Sequence, residues 1–520
     1  MSFVLTHLTR LSSSSRAVFF VAWIALAAAG GAWAAATPLS GSPDEPAHLI
    51  KAASVVRGEL IGEPGADPSR TIVHVPVGIA EAWNWACYAH DAALSASCVT
   101  SPANGLELAE AETSAGLYNP LYYAIVGLPS LVIADTVTAV MAMRVISAVL
   151  VAALLAYSFS LLLRLLPPLL AGIGFLAVLT PMTLFLTGAV NPNALEISAA
   201  VALVSGLAAV CLAPNEAYSR SALIGIALAG VLLANARAIS PLWMAVIAVS
   251  IIAMTPAPRL ALLLRQRSVL AVLAALGIGA IAAVSWVART GSLTSLGVFA
   301  GAGTTSPAEA FLSMIVQRGA DPGIIGLFGW VDTPAPTFVY AFWSALLGAT
   351  LIAGFVVARG RNLAGFLIAA AGALLGPAAA QAASVATSGY IWQGRYSIAP
   401  IAVAVLLAVI AVAAQRGAPW SGAIAVRLAA TVGFLVVVGH LASMAAAIVR
   451  YATVGSGSFG ALFVGEWSPP GGALVWLVIL AVAITLIVIL WIGAILASRA
   501  SADEGLRPAA AGNEALEHLG

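Results

Sequence analysis

Long apolar blocks of about 15–26 residues divide this chain, and that length crosses a bilayer as an α-helix. Hydrophobic residues make up 61% of the 520 residues and charged residues only 8%, whereas a soluble domain carries about 25%. Because 22 basic residues stand against 21 acidic ones, the net charge is +1 and offers no basic surface to nucleic acid. A soluble enzyme, a disordered protein and a DNA-binding protein are therefore excluded. The predicted fold class is all-α, a polytopic transmembrane helical bundle.

The hydropathy pattern predicts twelve spans. They are 17–36, 138–163, 169–188, 195–213, 221–235, 238–256, 269–288, 338–357, 363–386, 397–414, 428–449 and 472–497. The first block resembles a signal peptide in its basic flank, but about 20 apolar residues favour an uncleaved anchor. We expect a cytoplasmic segment 1–16, a transmembrane catalytic domain 17–499 and a disordered cytoplasmic tail 500–520.

Basic residues in the short loops predict the orientation. With the N-terminus inside, the Arg clusters at 259–267, 359–361 and 416–427 also lie in the cytoplasm. The external connections are then 37–137, 289–337 and 451–471. This requires that 119–134, interpreted as a helix in or dipping into the outer leaflet, does not span. The expected location is the bacterial cytoplasmic membrane, with both termini inside.

The sharpest motif is Ser-Pro-Asp-Glu-Pro-Ala-His at 42–48. Ser42 and Glu45 fit a capping box, which predicts an amphipathic helix from here to about Leu60 lying on the membrane surface. Asp44 and His48 are four residues apart and share a face of that helix. An ionised Asp44 at the membrane boundary can act as a general base. The alternative is that Asp44 and Glu45 only cap the helix.

Two basic residues fall on the external side, where the positive-inside rule disfavours them: Arg237 between two spans, and Arg395 in Gln-Gly-Arg-Tyr at 393–396. A guanidinium at that depth can bind the phosphate of a membrane-anchored lipid bidentately. The alternative is contact with ordinary lipid headgroups.

Weaker candidates surround these groups. Asn191, Asn193 and Glu196 form an external turn, either as a helix cap or as polar contributors to a site. Trp330 suits a sugar ring or an interfacial aromatic belt. Cys87 and Cys98 share one loop and are either a disulfide or two free thiols.

Four motifs together resemble one bacterial family of polytopic membrane proteins: PDEPAH, NPLYY at 119–123, NPN at 191–193 and QGRY. Its layout is similar to the GT-C class of membrane glycosyltransferases. The resemblance implies that Asp44 is the catalytic acid, with Glu45 as its neighbour. It places Tyr122 in the Pro-Leu-Tyr segment and Arg237, Arg395 and Tyr396 near the lipid phosphate. The second external acid of the class has no Asp counterpart here.

The resemblance implies transfer of a sugar, with inversion, from a polyprenyl-phosphate donor to a cell-envelope glycan or lipid. His48 and Lys51 are expected to orient the acceptor or support Asp44, and Gln393 to contact substrate. Membrane lipids are the other expected partners. No cofactor is assigned, and the sequence gives no support for a metal. The competing hypotheses are a transporter or lipid flippase, and a non-catalytic assembly or sensor protein.

Overall fold

A computed structural model of the protein describes residues 14–213, 219–294, 297–317, 319–415, 422–455 and 457–505. Most of these residues are helical. In chain order the helices are α1 (Ser15–Ala36), α2 (Glu45–Val55), α3 (Val77–Ala80), α4 (Pro120–Val126), α5 (Thr136–Leu165), α6 (Pro168–Val178), α7 (Pro181–Thr187), α8 (Pro192–Cys211), α9 (Arg220–Ala234), α10 (Ser240–Met254), α11 (Ala257–Leu264), α12 (Arg267–Thr290), α13 (Pro307–Val316), α14 (Thr337–Val357), α15 (Gly360–Ser388), α16 (Ile398–Ala413), α17 (Ala423–Ala452), α18 (Ala461–Val464) and α19 (Ala473–Gly505).

The helices confirm an all-α membrane bundle. Within the described ranges, nine helices are long and apolar enough to cross a membrane, and two bent pairs raise the number to as many as eleven. The remaining predicted span, at 221–235, is the apolar but shorter α9 of 15 residues. All twelve predicted segments therefore coincide with helices. The last helix extends to Gly505, past residue 500 where the tail was predicted to begin. Residues 1–13 and the rest of the predicted tail, 506–520, lie outside the described residues.

Prolines account for the two bent pairs. Pro181 begins α7, which is bent by 65° from α6, and Pro256 precedes α11, which is bent by 119° from α10. Proline lacks the backbone N–H that a continuous helix needs and disfavours helical backbone at the residue before it. The first bend exposes the Met182 N–H, which donates to the Ile325 carbonyl at 2.8 Å and joins the bundle to a polar loop.

The polar stretch between α1 and α5 contains a small antiparallel sheet that the hydropathy pattern did not predict. Its order is β1 (Glu63–Pro64), β2 (Thr71–Pro76) and β3 (Leu108–Thr113), with Thr71 opposite Thr113 and Pro76 opposite Leu108. A second ribbon, β4 (Leu327–Phe328) with β5 (Thr333–Pro334), lies in the loop before α14. Cys87 and Cys98 form a disulfide, which confirms the first of the two alternatives for this pair.

The predicted capping box is wrong. Helix α2 begins at Glu45 with Asp44 as its N-cap in a left-handed conformation (φ 63°), and the Ser42 hydroxyl has no hydrogen-bond partner among the described residues. The helix ends at Val55 instead of Leu60, and all eleven of its residues are buried. It packs beneath β2, β3 and α4, so it is not a helix lying on a membrane surface. The apolar stripe that suggested an interfacial helix is covered by protein instead of lipid.

The segment 119–134 forms α4, of seven residues, followed by a 3₁₀ turn at Leu128–Leu131. Neither is long enough to cross a bilayer. Asn119 caps α4 by accepting a hydrogen bond from the Leu121 N–H at 3.0 Å, and Pro120 occupies the first turn.

The polar loops meet at one end of the bundle, called the loop end below. Arg450, in the last turn of α17, links two of these loops. Its guanidinium donates to the carbonyls of Tyr88, Asp91 and Leu94 at 2.8–3.1 Å and pairs with Asp332 at 3.3 Å. The first polar stretch and the loop before α14 are thereby held against the same helix end.

Candidate active site

Asp44 lies at the loop end in a strained backbone conformation. Its carboxylate Oδ2 accepts a hydrogen bond from Arg395 Nη2 at 2.5 Å, across 351 positions of sequence. The Asp44 side chain is 45% exposed and the Arg395 side chain 1%, so the carboxylate is open to solvent while its partner is enclosed. A left-handed conformation is unfavourable for a residue with a Cβ, although Asp tolerates it better than most.

Strained backbone concentrates around one cavity. Four described non-glycine residues have positive φ, and three of them, Asp44, His90 and Val331, line the same space at the loop end. This polar cavity has a volume of about 760 Å³. Non-glycine residues held in such conformations cluster at binding and catalytic sites because surrounding contacts must over-determine them. The strain therefore marks this cavity as the candidate site.

Glu45, expected beside Asp44 as a catalytic partner, does not reach the cavity. It is completely buried and receives two hydrogen bonds from the equally buried Arg144, from Nε at 2.7 Å and from Nη2 at 2.5 Å. The Val190 N–H donates to the same carboxylate at 3.1 Å. Arg144 also donates to the carbonyls of Ala34, Thr37 and Pro38. Glu45 therefore joins α1, α2, α5 and the turn before α8, and holds the backbone on which Asp44 is placed.

Arg395 enters the cavity from a 3₁₀ turn at Gly394–Ser397 that directly precedes α16. Glycine is needed at 394, because a Cβ there would approach the Asp321 carboxylate Oδ1 to 2.3 Å. Gln381, buried in α15, shapes the approach by accepting hydrogen bonds from the Ile391 and Trp392 N–H groups at 3.0 and 2.9 Å. Nε and Nη1 of Arg395 are buried and have no partner among the described residues. Such a guanidinium has unused donors for an anion.

Arg237 converges on the same point, as the sequence predicted. Its guanidinium carbon lies 4.1 Å from the centre of the Tyr396 ring, and that of Arg395 lies 4.9 Å from it. Glu196 pairs with Arg237 at 3.4 Å and accepts a hydrogen bond from the Ser240 hydroxyl at 2.6 Å. Glu196 itself is buried and does not line the cavity, so it contacts the site only through Arg237.

His48 lies one helical turn after Asp44 and also lines the cavity. Its Nδ1 is 2.8 Å from the Tyr123 hydroxyl, and the Tyr118 ring meets its ring edge to face. Burial lowers the pKa of His48 to about 4, and Asp44 opposes that shift only partly. The ring is therefore neutral at pH 7 and can exchange hydrogen bonds without adding charge.

The other predicted site residues divide into two groups. Trp330 and Gln393 line the cavity, and Trp330 is fixed by a hydrogen bond from Nε1 to the Ser40 carbonyl at 2.9 Å. Four predicted residues serve the framework and do not line the cavity. They are Lys51 (hydrogen-bonded to the Leu60 and Gly116 carbonyls), Tyr122 (to the Ser147 hydroxyl), Asn191 (to the Pro43 carbonyl) and Asn193 (to the Asn191 side chain).

An apolar groove opens from the polar cavity. This first groove has a volume of about 480 Å³ between α10, α12 and α15, and it shares Tyr118, Arg237 and Tyr396 with the cavity. Its other lining residues are mostly Ala, Leu, Ile and Val. A ligand with a charged group beside the two arginines can therefore extend an apolar chain into it.

Two residues that the sequence interpretation missed are part of this arrangement. Arg144 lies in the interior of a 30-residue apolar helix whose other charged residue, Arg164, is in the last turn, and that position inside the predicted span 138–163 is the signal that identifies it. Asp321 lines the cavity from the loop before α14, and no sequence pattern separated it from other loop acids. Within the described residues, no group of three or more His, Cys, Asp or Glu side chains is placed to hold a metal.

A family model described as predicted membrane protein, DUF2142, matches residues 28–405. The chain belongs to this family. No curated protein matches the sequence. Among solved structures, ArnT from Cupriavidus metallidurans in the apo state is similar, with a TM-score of 0.42, 12% identity, and coverage of 94% of this chain and 78% of that one.

Proposed function

We propose that this protein is a membrane glycosyltransferase that moves a sugar from a polyprenyl-phosphate donor to an acceptor hydroxyl at the external face, with inversion. The observation that carries the proposal is the convergence of one carboxylate, Asp44, and two guanidinium groups, Arg237 and Arg395, in one polar cavity. The cavity adjoins an apolar groove that suits the polyprenyl chain. The three groups come from distant parts of the chain, so no single structural motif accounts for their meeting.

The two arginines bind the donor phosphate. Arg395 offers Nε and Nη1, which have no other partner among the described residues, and Arg237 is held beside it by Glu196. As the bond from the anomeric carbon to the phosphate oxygen breaks, negative charge grows on the phosphate. Fixed guanidinium groups in an enclosed site stabilise that charge at no cost in reorganisation. The arginines thereby assist departure of the lipid phosphate.

Asp44 acts as the base. Its carboxylate is paired with Arg395 Nη2. A donor phosphate competes for that guanidinium and leaves Asp44 free to face the acceptor. The acceptor oxygen attacks the anomeric carbon on the side opposite the phosphate and transfers its proton to Asp44. One bond forms as one breaks, so the anomeric centre inverts and a single base suffices, unlike the carboxylate pair of most glycosidases. His48, neutral beside Asp44, orients the acceptor.

The test uses purified protein in phosphatidylcholine vesicles with a radiolabelled decaprenyl-phosphate sugar and a lipid extract as acceptor source. Asp44→Asn removes the base and is expected to lower transfer about 10²–10⁴-fold. Asp44→Glu keeps the negative charge but moves the carboxylate. It therefore tests whether transfer needs the carboxylate at this position or only its ion pair with Arg395. Glu110→Gln, an exposed carboxylate on β3 outside the cavity, is the matched control and keeps full activity. Near-normal transfer by folded Asp44→Asn removes this residue from the mechanism.

Arg395→Ala separates donor binding from acceptor chemistry. It is expected to raise the KM for the donor about tenfold or more, through loss of charge-assisted hydrogen bonds. An unchanged donor KM contradicts the phosphate assignment.

The same vesicles test the transporter and flippase hypotheses, because those predict movement of the labelled lipid across the bilayer without a new glycosidic bond. The polar side chains of the candidate site lie at the loop end instead of mid-bundle, which favours the enzyme.

A further inference from the structure

A second apolar groove lies on another side of the Arg395 turn. It has a volume of about 630 Å³ and is bordered by α14, α15, α16 and the loop at 319–325. Its wall on α14 runs from Ser344 to Phe355, a rise of about 16 Å at 1.5 Å per residue. That distance is close to half the thickness of a bilayer's hydrocarbon core, about 15 Å. The second groove is therefore as deep as one leaflet.

Asp321 connects the second groove to the polar cavity, because it lines both. Its Oδ1 accepts a hydrogen bond from the Gly323 N–H at 2.7 Å, which fixes the carboxylate against Gly394. Arg395, which follows Gly394 in the chain, is paired with Asp44. A headgroup leaving the second groove thus passes Asp321 and meets the reacting groups without crossing the first groove.

The two grooves end in charges of opposite sign. The first ends at Arg237, which attracts a phosphate, and the second ends at Asp321, which repels one. Apart from Asp321, the described residues that line the second groove are apolar residues, glycine, proline and two serines, so none of these lining residues is a cation that could compensate the carboxylate. A carboxylate at the mouth of an apolar groove accepts hydrogen bonds from hydroxyl groups.

We propose that the second groove binds the acceptor, and that the acceptor is a membrane lipid with an uncharged, hydroxyl-bearing headgroup. This rests on the proposed function, since it takes the polar cavity as the place of transfer. The lipid chains occupy the second groove, and one headgroup hydroxyl donates to Asp321. A second hydroxyl reaches Asp44, gives it the proton, and forms the new bond to the anomeric carbon. Asp321 is a positioning residue for the acceptor and takes no proton.

Photolabelling in phosphatidylcholine vesicles tests this without requiring turnover. Two diazirine probes share the same acyl chains: a monohexosyl diacylglycerol and phosphatidic acid. We expect the hexosyl lipid to label the groove wall at 344–355 and 367–377 about tenfold more than phosphatidic acid, since it gains a hydrogen bond to the carboxylate and avoids like-charge contact. Asp321→Asn is expected to bring the two probes to within about twofold of each other, since the like-charge contact is lost.

Ala371→Trp fills the second groove from the exposed face of α15 and is expected to remove the labelling. The matched control is Ala274→Trp on the exposed face of α12, outside the three cavities described above, and it leaves labelling unchanged. Equal labelling by both probes, or labelling that survives Ala371→Trp, means ordinary boundary lipid and overturns the proposal.

The proposal and the proposed function fail in different ways. Asp44→Asn should leave the labelling intact, because the acceptor groove does not depend on the base. If the protein is labelled selectively but transfers no sugar, the lipid site is supported and the proposed glycosyltransferase function is refuted. In a protein that does transfer sugar, Asp321→Asn should raise the acceptor KM about tenfold with little change in kcat, since one charge-assisted hydrogen bond is lost. A fall in kcat alone contradicts the positioning role.

Discussion

Removal of one partner from the buried Glu45–Arg144 pair is expected to destabilise the protein far more than removal of both. Both side chains are completely buried, with carboxylate–guanidinium distances of 2.5 and 2.7 Å. Arg144→Met removes the guanidinium partner of the Glu45 carboxylate and leaves it the hydrogen bond from the Val190 N–H. Breaking such a pair from one side costs about 3–5 kcal/mol, because an uncompensated charge remains in a low-dielectric interior.

Glu45→Gln leaves the Arg144 charge in contact with the carbonyls of Ala34, Thr37 and Pro38. These acceptors compensate for part of the lost interaction, so we expect a cost of about 3 kcal/mol. The double variant Glu45→Gln with Arg144→Met removes both charges. Its cost should fall short of the sum of the single costs by about 2 kcal/mol or more, since residues in direct contact are strongly coupled.

Equilibrium unfolding in mixed micelles of detergent and SDS measures these free energies. Glu112→Gln is the control, because the Glu112–Arg70 pair is exposed and 3.6 Å apart, and such surface pairs contribute about 0–1 kcal/mol. Single variants that each cost less than about 1 kcal/mol, or costs that add without coupling, refute the structural role assigned to Glu45.

Three further predictions concern His48, the Cys87–Cys98 disulfide and Glu196. Folding lowers the pKa of His48 from about 6.5 to about 4, so between these pH values the unfolded state binds more protons than the folded state. The contribution of the neutral His48 to stability is therefore complete above pH 6.5 and is lost as the pH falls toward 4, by up to about 3 kcal/mol. His48→Gln should flatten the melting temperature between pH 4.5 and 7, and an unaltered slope contradicts this. Reduction of Cys87–Cys98, or its replacement by serines, should lower stability by about 2–4 kcal/mol in thermal melts, because an 11-residue separation is no longer closed. Glu196→Gln should weaken donor binding less than Arg237→Ala does, and equal losses would argue against an orienting role for Glu196.

Hydropathy predicted the bundle because spanning a bilayer imposes a one-dimensional constraint on length and polarity. Each predicted span coincides with a helix or a bent pair of helices, and the helical parts of 119–134 are too short to span a bilayer. The same reasoning failed for α2. An amphipathic stripe shows that one face is covered, but it cannot say whether lipid or protein covers it, and here β2, β3 and α4 do.

The candidate site was predicted in part. Asp44 was identified from the motif at 42–48, and Arg237 and Arg395 because each is a basic residue where the positive-inside rule disfavours one; all three line the cavity. Their neighbours were harder to assign. Glu45 is adjacent to Asp44 in sequence, yet helix geometry turns its side chain to Arg144, 99 residues away. Asp321 reaches the cavity only through the folding of its loop against Gly394.

An electron cryo-microscopy map of the protein with decaprenyl phosphate tests the central proposal most directly, because it needs neither the sugar nor the acceptor. We expect phosphate density about 3 Å from the guanidinium groups of Arg395 and Arg237, beside Asp44, with the polyprenyl chain in the first groove. Lipid density confined to the outer surface of the bundle, or a phosphate at the opposite end, would contradict it.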